Sequence, residues 1–131
     1  MATTASRILL VEDEKDILST LKRGLELEGF AVTAFDNPVV ALAKYYHAEY
    51  DLALLDIRMP GMNGFELARA LWEKNSSLQV CFLTAFEIYE AEARRAFPSM
   101  KNHCFLTKPI AIEALARHIR TRLAKSQSKE R

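Results

Sequence analysis

The sequence lacks any long uncharged apolar segment, and it lacks an excess of charge of either sign. No apolar stretch approaches the roughly 18–20 residues that a transmembrane helix needs, and the first seven residues contain no apolar core of a signal peptide. The 18 basic and 17 acidic residues give a formal net charge of +1, without the dominant basic field of a nucleic-acid-binding domain. We therefore expect a cytoplasmic protein that binds neither membranes nor nucleic acids.

Cysteine and histidine are also scarce, and their spacing does not suit a metal site. Cys81 and Cys104 both lie within apolar runs, so we expect them to be buried, reduced thiols. The three histidines are far apart in the sequence and show no ligand pattern. The sequence therefore gives no support for a metal centre built from sulfur and imidazole.

What the chain does contain is a fivefold alternation of short apolar runs with segments of helical periodicity. Its 131 residues, 50% hydrophobic and 27% charged, favour one globular domain with a buried core. Alternating strands and helices imply parallel βαβ units, and five units are too few for an eight-stranded barrel. We therefore predict an α/β fold with a doubly wound, five-stranded parallel sheet and five helices. The runs predicted as strands are 7–11, 31–35, 52–56, 79–84 and 103–107.

Glycine, proline and polar residues mark the ends of the predicted helices. Gly29 is a stop signal for the first helix, and Asn37 followed by Pro38 combines a cap with a first-turn proline. From Lys125 onwards the sequence is polar, so we expect the end of the chain to fray. The helices are predicted from stripes at Ile17, Leu18, Leu21 and Leu25, at Val39, Leu42 and Tyr46, over 64–74, over 87–97, and at Ile112, Leu115, Ala116, Ile119 and Leu123.

Two of the predicted strands end on acidic residues. The run 52–56 ends on Asp56, and the first run is followed by Glu12 and Asp13. In an open parallel sheet, ligands bind at the carboxyl ends of the strands, so these carboxylates are expected at one edge. Clustered carboxylates repel one another and, as oxygen-only ligands, suit a hard divalent cation such as Mg²⁺.

Two further strands bring a hydroxyl and an ammonium group to the same edge. The fourth run ends on Thr84, and the fifth is followed by Lys108. A carboxylate can attack phosphorus to form an aspartyl-phosphate, and phosphoryl transfer depends mainly on positioning and charge neutralisation. The joint placement therefore favours a phosphoryl site. Taken singly, the residues have simpler explanations: Asp13 as a helix N-cap, Glu12 as a helix-dipole contact, Thr84 as a strand-end cap and Lys108 as a solvated surface lysine.

Four motifs, in this order, resemble those of the response-regulator receiver domain, the CheY-like module of two-component signalling. The resemblance covers roughly residues 6–124, leaving an N-terminal extension over 1–5 and a polar tail over 125–131. It implies the flavodoxin-like strand order 2-1-3-4-5 and a domain that is not an enzyme beyond self-catalysed phosphoryl acceptance and autodephosphorylation. The matching segments are Ile-Leu-Leu-Val-Glu-Asp-Glu (8–14), Asp-Ile-Arg-Met-Pro-Gly-Met-Asn-Gly (56–64), Leu-Thr-Ala (83–85) and Lys-Pro (108–109).

The resemblance implies an acceptor and a metal site. Asp56 would be the modified residue, because its carboxylate would attack the phosphohistidine of a sensor histidine kinase or of a histidine phosphotransfer protein. Asp13 would be the principal ligand of Mg²⁺, and Glu12 would act on the metal through water. Asp56 itself and the backbone carbonyl of Arg58 would complete the set of protein ligands.

The same resemblance implies a switch. Thr84 would move onto the phosphoryl group, Lys108 would pair with that group, and Phe105 would rotate inward. The change would appear on the face formed by the fourth helix, the fifth strand and the fifth helix, where a downstream protein or a second copy of the chain would bind. The peptide bond between Lys108 and Pro109 would be cis.

Three alternatives are open at this point. An aspartate-nucleophile phosphatase of the dehalogenase type needs a second acid two residues after the nucleophile, where this chain has Arg58. A flavin-binding module needs a phosphate loop rich in Ser, Thr and Gly after the first strand, where this chain has Glu12, Asp13 and Glu14. A pseudo-receiver, which is a pure interaction module, usually lacks one of the key residues, and none is missing here.

Overall fold

Five parallel strands form the centre of the fold, in the order β2-β1-β3-β4-β5. The computed structural model describes residues 5–46, 49–85, 95 and 104–129. The four strand pairings within the sheet are all parallel, so the predicted doubly wound sheet and its strand order are confirmed. The strands are β1 (Arg7–Val11), β2 (Ala31–Phe35), β3 (Leu52–Asp56), β4 (Gln79–Thr84) and β5 (Cys104–Thr107).

Within the described ranges the chain forms four helices. The helix predicted over 87–97 lies outside the described residues, apart from Arg95, which is helical. The last helix continues past Lys125 to Lys129, and the fraying of the chain end stays a prediction. None of the described helices combines the length and the apolarity needed to cross a membrane. The helices are α1 (Lys15–Leu27), α2 (Pro38–Ala43), α3 (Gly64–Lys74) and the C-terminal helix (Ile112–Lys129).

The strand side chains alternate between two hydrophobic clusters, one on each face of the sheet. Leu9 and Val11 of β1 belong to the cluster that α2 and α3 cover, whereas Ile8 and Leu10 belong to the cluster that α1 and the C-terminal helix cover. Every residue of the central strand β3 is buried, as expected for a parallel strand with helices on both faces. This two-sided packing leaves the carboxyl ends of the strands as the open edge of the sheet.

The second helix begins as predicted but presents a different face. The Asn37 side chain accepts hydrogen bonds from the backbone N–H groups of Val39 and Val40, which confirms the cap. The predicted apolar stripe is wrong, because Val39 is 54% exposed and Tyr46 lies beyond the end of the helix. Pro38 and Ala41 are the buried residues of this helix, and Leu42 of the predicted stripe packs against the core, partly buried.

Cys81 and Cys104 are joined by a disulfide, so the prediction of two reduced thiols is wrong for this structure. The two residues are register partners on β4 and β5, and their Cα atoms are 4.6 Å apart. Both are buried, as predicted. The two cysteines are 23 residues apart in the sequence, so their pairing could not be predicted from local patterns. It follows from the register between β4 and β5.

Candidate functional site

Three carboxylates meet at the carboxyl ends of β1 and β3. Asp56 is the last residue of β3, and Glu12 and Asp13 follow β1. One oxygen atom from each side chain lies within 4.8 Å of the other two. Glu12 and Asp56 are buried, whereas Asp13 is partly exposed. The structure therefore brings the three predicted acidic residues together at the boundary between core and solvent.

The register between β1 and β3 explains why the acids are neighbours. Val11 pairs with Leu55, so the next residues, Glu12 and Asp56, leave adjacent strands side by side. The turn after β3 then packs α3 closely behind the site. A Cβ atom at Gly64 would collide with the backbone carbonyl oxygen of Asp56, and a glycine is therefore required there for space.

Lys108 is the internal counter-ion of this cluster. Its Nζ donates to Oε1 of Glu12 at 2.5 Å and lies 3.4 Å from Oδ1 of Asp56. The other oxygen of Glu12, Oε2, accepts from the backbone N–H of Glu14 at 3.1 Å. Both oxygens of the Glu12 side chain are thus engaged, and the ammonium group lies closer to Glu12 than to Asp56.

The charges in the cluster are distributed unequally. Burial, followed by the hydrogen bond and the charge of Glu12, raises the pKa of Asp56 from 3.8 to about 7, against the opposing effect of Lys108. Burial also acts to raise the pKa of Glu12, but hydrogen bonds from Lys108 and from the Glu14 N–H lower it below its ordinary value. Burial acts to lower the pKa of Lys108, yet the carboxylates of Glu12 and Asp56 raise it overall. As the pH falls, Asp56 therefore takes up a proton before Glu12 does.

This imbalance is the observation that fits a divalent cation. The donor set consists of oxygen atoms, and one ammonium group does not neutralise three carboxylates. Burial, and then the neighbouring Glu12, raise the pKa of Asp56, so the ionised form of this carboxylate lacks a compensating charge. A hard cation such as Mg²⁺ would supply the missing charge.

Thr84 and Lys108 face Asp56 across a small cavity of about 200 Å³. Thr84 is the last residue of β4 and is buried. Its carbonyl accepts from the backbone N–H of Lys108 at 2.8 Å, which ties the ends of β4 and β5 together. The bond between Lys108 and Pro109 is cis, as predicted. The cavity is lined by Glu14, Asp56, Arg58, Thr84, Ala85 and Lys108.

Arg58 lies between this cavity and a second one. The second cavity, of about 540 Å³, opens on the side of Asp13 and is lined by Arg58, Met59 and Asn63 among others. Arg58 therefore contributes to both sides of the carboxylate cluster. The role of its backbone carbonyl as a metal ligand stays a prediction.

Phe105 is partly buried and packs against the core near the site. Its ring stacks on Phe82 with 5.2 Å between centroids, and Phe82 in turn meets Phe65 edge to face at 5.1 Å. These contacts place Phe105 in the cluster covered by α2 and α3. Phe105 thus lies on β5, the strand that Lys108 follows. Its inward rotation on activation stays a prediction.

Two further residues belong to the site, although the sequence assigned them no role there. Glu14 lines the cavity beside Asp56 and donates its backbone N–H to Glu12. It is also the N-cap residue of α1, so the alternative in which Asp13 is merely the cap is wrong. Gly64, the first residue of α3, was predicted only as the start of a helix, and the signal that could have found its role is the short connection between it and Asp56.

Comparison with known proteins agrees with this geometry. The chain matches the model of the response regulator receiver domain over residues 8–120. The chain belongs to the response regulator receiver family. It is therefore related to the signalling domains of two-component systems rather than to classical enzymes, as the motifs predicted.

The curated relatives include both sensors and regulators. The chain is 38% identical over 86% of its length to the sensor protein EvgS of Escherichia coli (strain K12), of which it covers 9%. It is 34% identical over 93% of its length to the uncharacterized transcriptional regulatory protein YkoG of Bacillus subtilis (strain 168), of which it covers 53%. The chain thus spans about a tenth of the length of EvgS and about half of the length of YkoG.

Solved structures show the same fold. A CheY-like receiver domain protein from Methanospirillum hungatei JF-1 aligns with a TM-score of 0.84 at 25% identity, covering 96% of this chain and 99% of that one. The response regulator TrrA from Thermotoga maritima, solved in complex with Mg²⁺ and BeF, aligns with a TM-score of 0.77 at 30% identity, covering 89% of this chain and 98% of that one.

Proposed function

We propose that Asp56 accepts a phosphoryl group from the phosphohistidine of a sensor histidine kinase or a histidine phosphotransfer protein. The observation that carries this proposal is the convergence of Asp56, Thr84 and Lys108 on one small cavity. A nucleophilic carboxylate, a hydroxyl and an ammonium group are the components that phosphoryl transfer to an aspartate requires. Membership of the receiver family supports the same reaction.

Mg²⁺ is the proposed cofactor, held by Glu12, Asp13 and Asp56 together with the backbone carbonyl of Arg58. When bound, the ion would offset the repulsion between the acceptor carboxylate and the incoming phosphoryl oxygens. The relative TrrA was solved with Mg²⁺ and BeF, which supports a site of this kind in the present chain.

The chain's own residues each have a task in the proposed reaction. The ionised carboxylate of Asp56 attacks phosphorus in line, the new O–P bond forms, and the N–P bond to the donor imidazole breaks. Lys108 and the hydroxyl of Thr84 then bind the phosphoryl oxygens. The product adds roughly 1.5 to 2 negative charges at this edge. That charge competes with Glu12 for the ammonium group of Lys108, which lies 2.5 Å from Glu12 in this structure.

The signal is proposed to leave through the face formed by the predicted fourth helix, β5 and the C-terminal helix. Movement of Thr84 towards the phosphoryl group would make room for Phe105 to turn inward and change this face. A downstream protein, or a second copy of the chain, would bind there. We further propose that the receiver domain spans 6–124 and that the protein is cytoplasmic and binds no nucleic acid through this domain.

Intact-mass measurement after incubation with Mg²⁺ and acetyl phosphate tests the acceptor. We expect a single adduct of about 80 Da that is absent without Mg²⁺ and absent in Asp56→Asn. Asp36→Asn, which removes an exposed acid, is the matched control and should keep the adduct. A missing adduct in the wild type, or one that persists in Asp56→Asn, would refute the proposal.

A further inference from the structure

The disulfide between Cys81 and Cys104 lies directly upstream of the two residues that face Asp56. Cys81 is three residues before Thr84 on β4, and Cys104 is four residues before Lys108 at the end of β5. The two cysteines are register partners, and they are the only two in the chain. The covalent link therefore joins the strands that deliver the hydroxyl and the ammonium group to the site.

The link is reinforced from the opposite face of the sheet. The cysteines belong to the cluster covered by α1 and the C-terminal helix, and the next residues, Phe82 and Phe105, stack on the other side. Further along, the backbone N–H of Lys108 donates to the carbonyl of Thr84. Only the disulfide among these contacts can be made or removed by a change in redox conditions.

We propose that Cys81 and Cys104 form a redox-active pair that controls how readily the phosphoryl site responds. In the disulfide form β5 is fixed to β4, which restricts the adjustment of Thr84 and Lys108 around a phosphoryl group. In the dithiol form the two strands are held by hydrogen bonds and packing alone, so the site adjusts more easily. This inference rests on the proposed function and adds a second input to it.

The chemistry is exchange with low-molecular-weight thiols of the glutathione class. A thiolate of the small molecule attacks Sγ of Cys104, because residue Cys104 is 7% exposed whereas Cys81 is fully buried. The bond between the two protein sulfurs breaks, and Cys81 leaves as a thiolate and takes up a proton. A second small thiol releases Cys104 from the mixed disulfide. Two small thiols thereby give up two electrons and two protons and leave as their own disulfide, and the reverse reaction restores the link. Disulfides of proteins in reducing compartments are usually of this transient, sensing type.

The test compares the wild-type chain equilibrated with reduced or with oxidised glutathione. Alkylation of the unfolded protein followed by intact-mass measurement should find two free thiols in the first case and none in the second. The reduced form should melt about 10 °C lower, because the link constrains the unfolded chain. It should also bind Mg²⁺ with beryllofluoride, a phosphoryl mimic, about fivefold more tightly or better, which is the lower end of typical coupling between sites.

Cys81→Ala is the matched control, because it cannot form the link and should give the same beryllofluoride affinity in both redox buffers. Two thiols in the oxidised wild type, or equal beryllofluoride affinity in its two forms, would overturn the inference even if the variant fails to fold. A wild type that binds no beryllofluoride in either form would overturn the proposed function and its redox control together. Alkylation and melting would then still show whether the pair cycles.

Discussion

Replacing Asp56 with asparagine should stabilise the metal-free protein at high pH. The pKa of Asp56 is raised from 3.8 to about 7, so the folded chain holds this proton more tightly than the unfolded chain does. The resulting stabilisation is complete below pH 3.8 and is lost as the pH rises through about 7. Above that range, the buried carboxylate lies charged beside Glu12. The asparagine side chain in Asp56→Asn is neutral at every pH and can still accept a hydrogen bond from Lys108.

The size of the effect follows from the shift. A difference of about three pKa units corresponds to about 4 kcal/mol, since each unit is about 1.4 kcal/mol. Glu12 and Asp56 share their charge and Lys108 offsets part of it. We therefore expect the free energy of unfolding of Asp56→Asn to exceed that of the wild type by about 2–4 kcal/mol at pH 8.5. That is a large part of the 5–15 kcal/mol that typically stabilises a domain. At pH 4 the two proteins should differ much less, because Asp56 is then protonated in the folded state.

Urea unfolding with a metal chelator present, at pH 4, 6 and 8.5, measures this directly. Trp72 is a suitable reporter, because it is partly buried and its indole N–H donates to the carbonyl of Leu78 at 2.9 Å. Mg²⁺ at pH 8.5 should stabilise the wild type more than Asp56→Asn. Asp36→Asn controls for the loss of one exposed acid. A stability difference between Asp56→Asn and the wild type that does not change with pH would refute the electrostatic reasoning.

Two further predictions concern the contacts around Asp56. Lys108→Gln should raise the affinity for Mg²⁺ by about tenfold, because the ammonium group, 2.5 Å from Oε1 of Glu12, repels a cation bound beside this carboxylate. Calorimetric titration without a phosphoryl donor measures this; Lys108→Arg should bind as the wild type does, and an unchanged affinity in Lys108→Gln would contradict the idea. Gly64→Ala should lower the free energy of unfolding by about 1–3 kcal/mol, because the added Cβ collides with the Asp56 carbonyl. Urea unfolding at pH 6 checks it, and undiminished stability would show that the turn can relax.

Local patterns in the sequence were enough to predict most of the secondary structure. The strands at 7–11, 31–35, 52–56 and 79–84 were predicted with the observed bounds, because short apolar runs bounded by turn residues favour buried strands. Gly29 ends the first helix with a φ of +100°, a conformation that favours glycine. The cap at Asn37 is equally local. In each case the residues that determine the structure are adjacent in the chain.

The acidic cluster at the open edge was also predictable, because parallel strands place their carboxyl ends together. Glu12, Asp13 and Asp56 each follow an apolar run, and that is sufficient to bring them to one edge once the sheet is parallel. The motifs around them identified the receiver family before any distance was known. What the sequence determined by itself is therefore the architecture, the family and the acidic residues that meet at this edge.

Only the tertiary structure decided how those residues are paired. Lys108 lies closer to Glu12 than to Asp56. This contact joins residues 96 positions apart, and it depends on how far each side chain reaches across the strand ends. The link between Cys81 and Cys104 depends on the register of β4 against β5. The exposure of Val39 depends on the angle at which a short helix meets the sheet. Periodicity along the chain carries no information on strand register, on the reach of a side chain towards another strand, or on the angle between a helix and the sheet. These properties arise only when distant segments pack against one another.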